Sequence, residues 1–198
     1  ASASQSVTVN PLPNLTVANL TTCEGTPVSL VGSPAGGTFS LPNPYSGPNS
    51  QYIYTYTDGN GCAASTVGTV AVDALPTVYD VSGGGSYCNI PGGGATVNLS
   101  GSEIGVNYEF KFTATGTFAT VAGTGSSLSV NNVTGVGTVY AVATNASTGC
   151  SRNMNLATSV FPETPSTWYQ DNDGDNYGNA AVSTLECSQP IGYVANST

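Results

Sequence analysis

The chain contains no histidine and only two basic side chains, Lys111 and Arg152, among 198 residues. Without histidine, and with a single lysine, the usual general bases and Schiff-base nucleophiles are absent. Of the carboxylates that a glycosidase would need, Glu103, Glu109 and Glu163 form no recognisable pair, so catalysis is not expected. Two cations against 11 acidic residues, a net charge of −9, cannot neutralise a phosphate backbone. The same imbalance disfavours an anionic membrane surface. No run of about 18 apolar residues spans a bilayer, and no charged-then-apolar leader opens the sequence. Either Ala1 follows a cleaved signal or the chain is a piece of something longer.

Charged residues make up only 7 %, against the usual quarter. Solubility must therefore come from Ser, Thr, Asn and Gly, as in many secreted β-rich proteins. Sustained helical periodicity is missing too, and 25 Gly with 12 Pro would interrupt it. No two of the five cysteines form a C-x-x-C pair, which disfavours zinc. An oxidising, extracellular setting is the better expectation.

The residues present repeat. Ser6-Val7-Thr8-Val9-Asn10-Pro11-Leu12-Pro13 resembles Thr69-Val70-Ala71-Val72-Asp73-Ala74-Leu75-Pro76. After each comes a cysteine (Cys23, Cys88) and an alternating apolar strand. Each unit closes with a Tyr-containing strand and a Gly-Cys, Gly61-Cys62 in one and Gly149-Cys150 in the other. Period-two alternation with β-branched and aromatic enrichment predicts strands. Asp58-Gly59 and Asn60-Gly61 predict a hairpin.

The expected fold is all-β: two tandem immunoglobulin-like antiparallel β-sandwiches and a small calcium-loop tail. Residues 1–12 form an N-terminal strand, either the end of a preceding repeat or one exchanged with a neighbour. The sandwiches span 13–75 and 76–161. Pro162-Glu163-Thr164-Pro165 is expected to be a stiff linker, and 162–198 an acidic calcium-binding repeat. The repeat pairs Cys23 with Cys62 and Cys88 with Cys150. Each closure contributes up to about 4 kcal/mol on the chain-entropy account. Cys187 is left with a partner expected beyond Thr198.

The tail holds the one defensible site. Asp171, Asp173 and Asp175 stand two residues apart on a Gly- and Asn-broken loop. Their spacing matches positions 1, 3 and 5 of an EF-hand-type calcium loop, and Tyr177 falls where a backbone carbonyl is used. Asn176 replaces the turn glycine, and asparagine tolerates left-handed geometry. Position 12 is Val182, where a bidentate Glu is normal; Glu186, four residues further on, could reach back but is not expected to. Trp168 is expected to anchor this loop. Three carboxylates so close repel one another without a counter-ion, so calcium is the expected cofactor.

Tyr52, Tyr54 and Tyr56 share a strand face. That face is either a stacking platform for sugars or partners or, as expected, the inner face of a sandwich.

The C-x-G…Y-x-Y-T-x-x-x-G-C pattern of residues 23–62 resembles the immunoglobulin-like repeats of large secreted surface proteins of Bacteroidetes. The tail, from Thr167-Trp168-Tyr169 through the Asp loop to Gly192-Tyr193-Val194, is similar to the thrombospondin type 3-like calcium repeats of the same proteins. This resemblance implies an extracellular, cell-surface adhesin or filament component, a stalk or fibre of rigid modules. Its partners would be other modules, neighbouring subunits, or surface glycans and proteins, with no nucleic acid and no membrane insertion. A binding module presenting aromatic side chains, and a filament subunit assembled by strand exchange, are the alternatives.

Overall fold

The computed structural model describes residues 4–5 and 7–197. The chain divides into two compact units, Ala1–Leu75 and Pro76–Thr198. Both are built of β-strands, with no helix among the described residues.

Unit 1 contains β1 (Thr16–Val17), β2 (Leu20–Cys23), β3 (Gly32–Ser33), β4 (Thr38–Phe39), β5 (Ser50–Thr57) and β6 (Ala63–Asp73). Its larger sheet runs β2-β6-β5-β4, while β1 pairs β3. The expected hairpin joins β5 to β6. The Asp58 carboxylate accepts the N–H groups of Asn60 and Cys62 at 2.9 and 2.8 Å, and Gly61 takes φ 83°, which glycine adopts without penalty.

The alternating burial of β5 turns Tyr52 and Tyr54 inward, at 0 % and 1 % exposure. Tyr52 packs with Leu30, Tyr45 and Val70. Their hydroxyls reach the rim and are hydrogen-bonded, so little polar surface is stranded. Tyr52 donates to the Ala18 carbonyl at 2.6 Å, Tyr45 to that of Pro48 at 2.7 Å, and Tyr54 to that of Pro34. Gly37 lies against Tyr54: a Cβ there would stand 2.5 Å from its ring and 2.4 Å from the Thr55 carbonyl. The tyrosine face is thus core, and Tyr52 and Tyr54 offer no stacking platform.

Unit 2 contains β7 (Val81–Gly83), β8 (Gly85–Cys88), β9 (Ala95–Leu99), β10 (Val106–Phe112), β11 (Gly116–Ala122), β12 (Leu128–Val133), β13 (Gly137–Asn145), β14 (Ser151–Asn153) and β15 (Thr158–Glu163). A tail follows with β16 (Ser166–Gln170), β17 (Asn179–Glu186) and β18 (Tyr193–Val194). One sheet runs β11-β10-β13-β15-β8, with β14 also on β13, and the other runs β12-β9-β7. Val97, Leu99 and Leu128 from the small sheet meet Tyr108, Phe110, Val139, Ala141 and Val160 from the large one. Two sheets sharing one apolar interior make a β-sandwich.

The repeat seen in sequence is a repeat of topology. Both units lay a short cysteine-bearing strand parallel to their last strand, pairing Cys23 with Asp73 and Cys88 with Glu163. In both, the residue after the cysteine donates its N–H to the carbonyl of that acidic residue: Glu24 to Asp73 at 2.9 Å and Asn89 to Glu163 at 3.1 Å. The last strand then pairs antiparallel with the Tyr-containing strand, β5 in unit 1 and β13 in unit 2.

One expectation about the chain path is corrected. Pro162 and Glu163 belong to β15 and pair with Tyr87 and Cys88, so they are not a linker. Pairing with β13 stops at Val160, leaving β15 one neighbour there, a position at which a sheet tolerates proline. Residues 7–12 form no strand, and Val7 and Val9 are 85 % and 86 % exposed. The rest of the expected N-terminal strand lies outside the described residues, apart from residues 4 and 5.

Burial pushes the Tyr52 and Tyr108 hydroxyls above their ordinary pKa of 10.0. A folded pKa raised above the unfolded one means the unfolded chain sheds its proton first. Stability is therefore intact below about pH 10 and falls as pH rises toward the folded values. Alkaline titration should show tyrosinate absorbance from these two residues only together with loss of β-sheet circular dichroism. Full ionisation while the sheet signal persists would contradict their burial.

Candidate metal centre

The Asp loop, residues 171–178, joins β16 to β17 in the tail sheet, whose order is β17-β16-β18. Both ends are fastened. Asp171 donates its N–H to the Gly192 carbonyl at 2.8 Å, and Gly178 to that of Asn196 at 3.1 Å. Gly178 has no room for a side chain, because a Cβ would stand 2.3 Å from that of Tyr169.

Within the loop, the Asp171 carboxylate accepts the N–H groups of Gly174 at 2.8 Å and Asn176 at 3.1 Å. Asp175 accepts that of Tyr177 at 2.8 Å. Gly174 and Asn176 take φ 76° and 69°, which wraps the backbone around the carboxylates. Asn176 thus adopts the left-handed geometry expected at position 6.

One oxygen from each of Asp171, Asp173 and Asp175 lies within 4.8 Å of the others. Calcium–oxygen bonds of about 2.4 Å place ligands on opposite sides of the ion about 4.8 Å apart. The three carboxylates therefore fit one shared coordination sphere, and the hard oxygen donors are those calcium takes. Tyr177 closes the loop with its side chain 53 % exposed.

Trp168, the expected anchor, and Glu186 both lie away from the loop. Glu186 ends β17, which pairs antiparallel with β16 from Asn179 onward. Glu186 lies opposite Ser166 while Asn179 lies opposite Gln170, and those four residues of β16 hold it roughly 13 Å from the loop end of the hairpin, so it does not substitute at position 12. Trp168 donates its indole N–H to the Glu186 carbonyl at 3.0 Å. It therefore fastens the far end of the hairpin instead of the Asp loop.

The cysteine pairing is also corrected. Cys88 is bonded to Cys187, with Cα atoms 5.5 Å apart, which ties the tail to the sandwich. Cys62 is a free thiol, and Cys23 and Cys150 are disulfide cysteines. The sheet registers explain why the expected pairs fail. Cys23 sits opposite Asp73 at one end of β6, and Cys62 immediately precedes the other end. β6 is 11 residues long, about 36 Å at ~3.3 Å per residue, whereas a disulfide needs Cα atoms within about 7 Å. In unit 2, the Cys150 carbonyl accepts the Asn145 N–H at 2.9 Å, at one end of β13. Cys88 lies beyond the other end, where Gly137 meets Val160. The 9 residues of β13 hold them about 30 Å or more apart. A cysteine at each pole of a module cannot bridge that module.

The remaining carboxylates considered for catalysis are scattered. Glu103 binds the Thr77 N–H and hydroxyl at 2.8 and 2.7 Å, and Glu109 pairs with Lys111 at 2.7 Å.

Disulfides of this kind persist in oxidising, extracellular surroundings. Among the described residues no helix is long and apolar enough to cross a membrane. No known family model matches this chain, and neither does any curated protein.

Proposed function

We propose that this chain is a structural or adhesive segment of an extracellular surface protein, in which β-modules in series form a stalk or fibre. The observation that carries this reading is the doubled joint. Each module ends in the same parallel cysteine strand, and Cys88–Cys187 staples the element that follows to that end. The likeness of its cysteine–tyrosine modules and Asp loop to Bacteroidetes surface repeats supports the same reading, including an immunoglobulin-like origin for the sandwiches. The chain acts mechanically and is not an enzyme.

Asp171, Asp173, Asp175 and the Tyr177 carbonyl would hold calcium. The ion would cancel the mutual repulsion of the three carboxylates and stiffen the tail hairpin at the end of the second module. Strand exchange is the second reading, favoured by the exposed, unpaired Val7 and Val9. Glycan binding loses its strongest support with the burial of Tyr52 and Tyr54.

The test is thermal unfolding followed by Trp168, the one tryptophan, with calcium or with excess chelator. Calcium at 100 times its Kd should stabilise the tail by about 2.7 kcal/mol. Asp173→Asn should largely abolish that response. If the transition ignores calcium, the loop is a plain acidic turn. If the chain shows saturable binding to a glycan panel, the binding-module reading replaces the stalk.

A further inference from the structure

The free thiol of Cys62 occupies half of a joint that unit 2 shows complete. In unit 2 the joint has three parts. Glu163 ends the last strand, and Cys88 lies beside it on the parallel strand. Cys187, from the element that follows, places its Sγ 3.6 Å from the Glu163 carbonyl and bonds to Cys88.

The same residues recur at the start of unit 1. Val7-Thr8-Val9-Asn10 repeats Val70-Ala71-Val72-Asp73, and Val160-Phe161-Pro162-Glu163 is their counterpart in unit 2. Asn10 therefore stands where Glu163 stands. The Cys62 Sγ lies 3.9 Å from the Asn10 carbonyl, as that of Cys187 lies by Glu163. What is missing is the parallel cysteine strand. Residues 7–10 have no strand partner among the described residues, and Val7 and Val9 lie exposed. Cys150, which follows the Tyr-containing strand of unit 2 as Cys62 follows that of unit 1, is itself a disulfide cysteine.

We infer that Cys62 forms a disulfide with a cysteine carried on a strand of the β2 and β8 type, supplied by another module of this kind and laid parallel to residues 7–10. The residue after that cysteine donates its N–H to the Asn10 carbonyl, as Asn89 does to Glu163. The occupant comes from an upstream module of a longer polypeptide or from a neighbouring subunit; the chemistry is the same. Bond formation is thiol–disulfide exchange with a small-molecule or protein disulfide as oxidant. The two thiols lose two protons and two electrons, one S–S bond forms, and the oxidant's S–S bond is reduced to two thiols. The inference rests on the serial-module reading and makes each joint covalent.

The test is to isolate the protein from the cells that produce it, with iodoacetamide present throughout, and to digest it without reduction for mass spectrometry. The expected result is a Cys62 peptide linked to a cysteine peptide from outside residues 1–198. Assignment of that peptide to the same polypeptide or to another subunit identifies the source, and either supports the joint. Recovery of Cys62 mainly as the alkylated thiol, as its glutathione adduct, or linked to a second Cys62 overturns it. A free Cys62 alongside an intact calcium response removes this inference and leaves the stalk reading standing, whereas a linked Cys62 without any calcium response does the reverse for calcium alone.

Discussion

Replacing Cys187 with serine should destabilise the second unit by about 4 kcal/mol, with the tail giving way first. The bond spans a sequence separation of 99 residues, and a loop near 100 residues loses about 4.7 kcal/mol of closure entropy in the unfolded chain. The tail has little else to hold it. Its sheet has three strands, Leu185 and Val182 are exposed, and small sheets without a packed face are marginal in water. Trp168 reports on this region directly, through its bond to Glu186. With a denaturant dependence of about 2 kcal/mol per molar urea, the tryptophan transition should move down by roughly 2 M. Reduction of the unmodified chain also breaks the disulfides of Cys23 and Cys150, so it should move the transition at least as far. An unmoved transition would mean that the tail folds on its own contacts, and the staple would lose its mechanical role.

That staple also marks where sequence stopped being informative. The alternation of Tyr52, Tyr54 and Tyr56 reveals a strand and its inner face, because side chains alternate with a fixed period of two. The Asp58-Gly59-Asn60-Gly61 run reveals the hairpin, because its end needs a positive φ, which Gly61 supplies. Asp171, Asp173 and Asp175 declare their convergence, because a loop broken by Gly174 and Asn176 can only curl. Each of these is a local property. Cysteine pairing is not local: it depends on which pole of the module each cysteine occupies, which is set by register. Cys23 and Cys62 bracket a module in sequence, yet the parallel pairing of β2 with β6 sends them to opposite ends. The same register made Pro162 look like part of a linker. Parallel pairing between a short strand and one far along the chain leaves no periodic trace in either segment.

The first module's dependence on its tyrosines leads to the other large effect. Tyr52→Ala should cost about 3–5 kcal/mol, the range for emptying a buried aromatic site. Tyr52 is completely buried, and Gly68 lies under its ring so closely that a Cβ would stand 2.5 Å away, so the backbone is already as near as it can come. The surrounding cluster is small, with Leu30, Tyr45 and Val70 as its other fully enclosed members. Small domains bury a low share of their surface and have only about 5–15 kcal/mol to lose. Tyr52→Phe should be far milder, about 1 kcal/mol, since it keeps the ring and gives up one hydrogen bond to the Ala18 carbonyl. Amide exchange in β5 and β6 separates the two outcomes. Exchange should accelerate about a hundred-fold or more for the alanine variant and about fivefold for phenylalanine, if it proceeds through unfolding of the module. A ligand-contacting tyrosine would behave otherwise, leaving exchange near wild type while binding is lost. If Tyr52→Ala leaves protection in β5 and β6 intact, the tyrosine face is not what holds this module together, and a recognition role for it returns.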